Sequence, residues 1–219
     1  VLKYNGVDEW MALDAADVRA HAAAERGKVA ANVARAQHQH VGVFERGNRP
    51  QILPAMLALQ VVIAGQALHH GKDHGKHVLA HGLAVGAYGA LIETTDGGKT
   101  WNDVSDRLDN EDQFHLNAIA HIKDAGLFIV GEQGSMFRSR DDGQTWEKLQ
   151  GPYEGSLFGA IGTARADTLL VYGLRGNLYR SSDFGSTWQQ VELKAARGAL
   201  EFGLSGATLL ADGSIVIVG

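Results

Sequence analysis

The sequence predicts an all-β protein: a partial β-propeller of four-stranded antiparallel blades, with a helical or irregular segment on its N-terminal side. Three observations predict it. An eight-residue motif, [ST]-x-D-x-G-x-T-W, recurs without gaps at residues 94–101, 139–146 and 181–188, with its tryptophans 45 and 42 residues apart. A G-x-x-G motif precedes each copy in constant phase, at Gly86, Gly131 and Gly173, and Gly219 follows at the next interval. Glycine is abundant, 28 of 219 residues against three prolines, which fits many tight turns better than a linker. Four short strands in a unit of roughly 40 to 45 residues is the sequence form of a propeller blade.

The second copy shows how each element is read. Residues 115–122 and 126–130 are two apolar runs parted by Lys123, Asp124 and Ala125. The G-x-x-G turn comes next, then a short strand over 135–138, the eight-residue motif, and a last strand over 145–149. Gly or Asp at every hairpin suits an antiparallel sheet. The eight-residue motif has a mechanical reading. Its Asp accepts backbone N–H bonds within its own turn, its Gly permits positive φ, its hydroxyls add local bonds, and its Trp packs between sheets. The structural set is Thr94, Asp96, Gly98, Thr100 and Trp101; Ser139, Asp141, Gly143, Thr145 and Trp146; Ser181, Asp183, Gly185, Thr187 and Trp188. These aspartates read as turn staples and not as catalytic acids or calcium ligands, because no partner carboxylate recurs at a fixed offset. No catalytic residue and no cofactor is expected.

Composition narrows the function. A net charge of −5 with 45% apolar residues gives no basic stripe for nucleic acid. No cysteine is present, which removes disulfides, thiolate catalysis and Cys-bound zinc. The longest apolar-rich stretch, residues 52–68, is interrupted by Pro54, Gln60, Gly65 and Gln66, so no membrane span is expected. The chain opens at Val1, and any targeting segment is expected either to have been removed or never to have been present.

Residues 1–78 diverge from the rest and carry no copy of the motif. Residues 12–36 are Ala-rich and predict a helix capped by Asp14. A degenerate blade is expected from Val41, because Gly42 lies 44 residues before Gly86. His69, His70, His74 and His77, with Asp73, are weaker metal candidates, since two glycines break any helical ligand spacing. No metal is expected. Residues 79–219 then hold three blades and the start of a fourth, too few to close a ring. This implies a fragment, or self-association through open blade edges.

The motif pattern resembles the Asp-box (bacterial neuraminidase repeat) propellers. Within them, residues 86–89, 94–101, 115–119, 131–134, 152–156 and 173–177 are most similar to the photosystem II stability/assembly-factor family in its non-photosynthetic bacterial branch. The resemblance implies a non-catalytic scaffold that binds a protein partner. It would be a periplasmic or otherwise extracytoplasmic accessory or assembly factor for a membrane complex or transporter. The alternative is a carbohydrate-binding or sialidase-like glycosidase propeller. Its three-arginine grip is not announced here, since Arg138 and Arg180 sit at equivalent blade positions beside the box. Alternating turns put the G-x-x-G turns and the blade connections on the face opposite the boxes. The candidate binding face is therefore Tyr88, Glu132, Gln133, Tyr153, Glu154, Phe158 and Arg175, with Leu174 beside them. His115 and Asn117, opening an inner strand, are read as channel-lining structural residues.

Overall fold

The computed structural model describes residues 2–4, 10–12, 60–62, 81–195, 198–199 and 202–219. Residues 13–36 of the expected helix, the start of the degenerate blade at Val41 and the His69–His77 cluster lie outside them. Near the N-terminus stand two short strands, β1 (Leu2–Tyr4) and β2 (Trp10–Ala12). Blade I follows as β3 (Gln60–Val62), β4 (Gly82–Val85), β5 (Leu91–Thr94) and β6 (Asn102–Asp103). Blade II is β7 (Leu116–Ile122), β8 (Gly126–Gly131), β9 (Met136–Ser139) and β10 (Glu147–Lys148). Blade III is β11 (Leu157–Gly162), β12 (Leu169–Gly173), β13 (Leu178–Ser181) and β14 (Gln189–Gln190). A small hairpin, β15 (Lys194–Ala195) and β16 (Gly198–Ala199), leads to β17 (Gly206–Leu209) and β18 (Ile215–Val218).

Each blade is a four-stranded antiparallel meander in chain order, and the fourth sheet runs β17–β18–β1–β2. Two features were not announced by the motifs. The inner strand of blade I comes from Gln60–Val62, upstream of residue 79, with Gln60 opposite Val85. The edge of β18 that the repeat leaves open is occupied by β1, with Leu2 opposite Ile217. That pairing satisfies the backbone groups on which self-association at this edge was expected to rest.

Period-two alternation explains how the blades stack. On β8, Leu127 and Ile129 point into the cluster shared with Leu83, Val85 and Leu91 of blade I. Phe128 and Val130 point the other way, into the cluster with Leu157, Leu169 and Val171 of blade III. On β12, Leu169 and Val171 face blade II while Leu170 and Tyr172 face Ile215 and Ile217 of the fourth sheet. A strand buried on both faces must be apolar at successive positions, which is why these runs are continuous. Outer strands β6, β10 and β14 are exposed and only two residues long, a length that blunts edge pairing.

Candidate binding face

Two kinds of turn end up on opposite faces. The Phe184 N–H of one box donates to Asp167 O at 2.8 Å, and the Asp167 N–H donates to Lys123 O at 3.0 Å in the first hairpin of blade II. Boxes and first hairpins therefore share a face. The G-x-x-G turns instead meet the connections between blades: the Gly134 N–H donates to Gly155 O at 3.0 Å and the Gly176 N–H to Phe202 O at 2.7 Å.

On the box face each motif is a closed hydrogen-bond unit. In the second copy the Asp141 carboxylate accepts from the Thr145 N–H at 2.9 Å, the Thr145 hydroxyl at 2.6 Å and the Ser139 hydroxyl at 2.8 Å. The Ser139 oxygen accepts the Gly143 N–H at 2.8 Å. Asp96 and Asp183 repeat the pattern with Thr100 and Thr187. Gly98, Gly143 and Gly185 sit at φ +87°, +88° and +86°. The Thr100 N–H and hydroxyl hold Asp96 down to about 2, and the Thr145 hydroxyl and N–H hold Asp141 at about 2. Burial opposes ionisation of Asp183, but Thr187 and Ser181 still keep it lowered. Trp146 packs on the core between blades I and II, and Trp188 meets Phe128 edge-on at 6.0 Å.

Arginines bind the blades together on this face. Arg138 donates to Phe184 O at 3.0 Å in the next blade's box and to Glu147 at 2.8 Å. On β5 the matching position is Glu93. There Arg107 takes over, donating to Gly143 O at 3.0 Å and to Glu93 at 2.9 Å. Burial resists charge on Glu93, yet Arg107 and His81 hold its carboxyl below the usual range. Arg107 and Arg138 are thus engaged between blades and do not converge on an open site.

The opposite face is built from three equivalent turns. The N–H of Gly86, Gly131 and Gly173 donates to the carbonyl four residues on, at 3.0, 2.9 and 3.0 Å. The third turn residue is left-handed in every case: Tyr88 at φ +57°, Gln133 at +52° and Arg175 at +56°. All three side chains are exposed, Tyr88 at 66%. A non-glycine residue in this region costs roughly 1–2 kcal/mol, so the frame here carries side chains that a glycine would have spared it.

The structure sorts the expected face into three places. Gln133, Tyr153 and Glu154 meet in one groove of about 140 Å³, lined also by Phe114, Met136 and Lys148. Tyr153 is held by stacking on Tyr179, with ring centroids 6.4 Å apart. Tyr88 and Glu132 meet at His115 instead: Tyr88 packs edge-on at 5.0 Å, and Glu132 Oε1 lies 3.8 Å from Nδ1. Arg175 joins neither set; it follows Leu174 in a turn whose Gly176 N–H donates to Phe202 O, and Leu174 and Phe202 are both about 40% exposed. Phe158 joins none of these sets, since its ring lies against Gly203 at a strand irregularity. Asn117, at the matching irregularity of β7, donates to Leu157 O at 2.9 Å and so ties neighbouring inner strands.

Phe114 and Phe202 escaped the motif reading. Their signal was present in the phase: Phe114-His115-Leu116 and Phe202-Gly203-Leu204 precede equivalent inner strands. Among the described residues no group of three or more His, Asp or Glu is placed to hold a metal ion. No described helix is long and apolar enough to cross a membrane.

Comparison with known proteins bears on the family. The family model for photosynthesis system II assembly factor YCF48 matches residues 70–212. A curated relative, the photosystem II assembly lipoprotein Ycf48 of Synechococcus sp. (strain CC9902), is 37% identical over 92 residues, 40% of this chain and 27% of that protein. The chain thus spans about a quarter of the length of that relative. Among solved structures, a YCF48 bound to D1 peptide is 28% identical with a TM-score of 0.47, covering 56% of this chain and 38% of that one. YCF48 from Cyanidioschyzon merolae is 21% identical with a TM-score of 0.46, covering 64% of this chain and 45% of that one.

Proposed function

The chain belongs to the photosynthesis system II assembly factor YCF48 family, and on that premise we propose that it is a non-catalytic propeller scaffold that binds a protein partner through its G-x-x-G face. The partner is a peptide segment of a membrane complex or transporter, and the site of action is extracytoplasmic. A lipoprotein relative and a solved YCF48 with a bound peptide support the reading. The observation that carries it is the set of left-handed, exposed Tyr88, Gln133 and Arg175 on one face. Left-handed non-glycine backbone also occurs on the box face, at Asp124, Asp142, Asp167 and Phe184. What sets Tyr88, Gln133 and Arg175 apart is that three large, differing side chains project into solvent at equivalent turn positions. On the box face the Asp96, Asp141 and Asp183 carboxylates are satisfied within their own turns, and Arg107 and Arg138 reach the next blade.

A photo-crosslinking amino acid placed singly at Tyr88, Gln133 or Arg175, in cells that make the protein, tests this. The expected result is a discrete adduct to one membrane-complex protein from this face. The same probe at Asp142 or Ser186, on the box face, gives none. Adducts of equal intensity from both faces would overturn the assignment.

A further inference from the structure

The groove at blade II has a composition that selects its occupant, and this inference rests on the protein-binding reading above. We propose that it receives the side chain of a lysine or arginine in the bound peptide. Met136 is fully buried and underlies the groove, with Gly151 against its thioether. Phe114 and Tyr153 add aromatic surface, while Gln133 and Glu154 supply polar atoms. An aliphatic stem lies well along the surface of the two aromatic side chains, and a cationic head is attracted to aromatic rings and to a carboxylate.

Charge decides between occupants. Glu154 is exposed and makes no hydrogen bond or ion pair among the described residues. The cation at the same groove, Lys148, is 3.5 Å from Asp109, which offsets it. An acidic side chain would face Glu154 directly. A purely aliphatic one would fill the groove but leave Glu154 partly desolvated and unmatched. The volume, about 140 Å³, suits one long side chain and falls short of the roughly 300–1,000 Å³ of small-molecule sites. The wall is fixed before binding, because the Gly134 N–H to Gly155 O bond and the Tyr153–Tyr179 stack set its position.

The test uses the 219-residue protein and three blocked pentapeptides, with lysine, norleucine or glutamate between glycine pairs, followed by NMR amide shifts. The lysine peptide is expected to move the signals of Gln133, Tyr153 and Glu154 with millimolar affinity. Norleucine should bind about threefold to fivefold more weakly, and glutamate should not bind. Glu154→Gln should weaken the lysine peptide by a similar factor and leave norleucine unchanged. Lysine and norleucine binding equally, or Glu154→Gln without effect, would overturn the cationic assignment while the protein-binding face stands. If no peptide moves these signals at millimolar concentration, the groove is not a side-chain site, and the crosslinks at Tyr88 and Arg175 decide the wider reading on their own.

Discussion

Asp141 shows what one residue does for a blade. Its two carboxylate oxygens gather three donors from a single turn, so the loop carries its own polar staple in addition to the packing of Trp146 on the core. Asp141→Asn keeps one acceptor and loses the charge. It is expected to cost about 1–2 kcal/mol, read as a lower urea midpoint. The pH dependence has a definite sign. Asp96 and Asp141 titrate at about 2 when folded, against 3.8 in the free side chain. Their contribution is therefore complete above about pH 4 and drains away as the pH falls toward 2. Urea midpoints measured from pH 6 to pH 2 should be flat at first and then fall. The fall should be shallower in Asp141→Asn. An identical acid slope in both proteins would remove the box carboxylates from the account. These residues were fully legible in the sequence, because donors and acceptor lie within seven positions of one another.

At the level of the element, the G-x-x-G turn sets two neighbouring positions against each other. Gly134 has φ +67°, and a β-carbon there would collide with the Tyr153 carbonyl oxygen. Gly134→Ala is expected to destabilise the protein by about 2–3 kcal/mol and to displace the groove wall. Gln133 has a similar left-handed backbone but points outward, so Gln133→Gly should be neutral or stabilising by about 0.5 kcal/mol. Thermal melts of the two variants test the pair. Equal losses from both would show that the Gln133 side chain supports the fold instead of its surface. The glycines of this element were visible in the sequence, and so was the turn. That Gly134 faces Tyr153 was not, because the contact joins a turn to the next inter-blade connection, and no local propensity encodes it.

For the whole molecule, stability resides between blades. Phe128 is fully buried and meets Phe184 and Trp188 of the next blade at 5.9 and 6.0 Å. Phe128→Ala is expected to cost about 3–5 kcal/mol by chemical denaturation. Each blade shares its core with its neighbours, so one cooperative transition is expected, and a split into two would show that blades II and III fold separately. The sequence by itself determined the blade, its turns and their phase, since box bonds and left-handed glycines are short-range demands on residue type. It also placed the box turns and the G-x-x-G turns on opposite faces. Only the tertiary structure decided which of the varied side chains meet: Gln133 and Glu154 share a groove, while Tyr88 and Glu132 turn to His115. It alone paired Leu2–Tyr4 with Ile215–Val218. Strand pairing is made by backbone groups common to all residues, so a short strand far away in the chain leaves no mark in the sequence of the edge it covers.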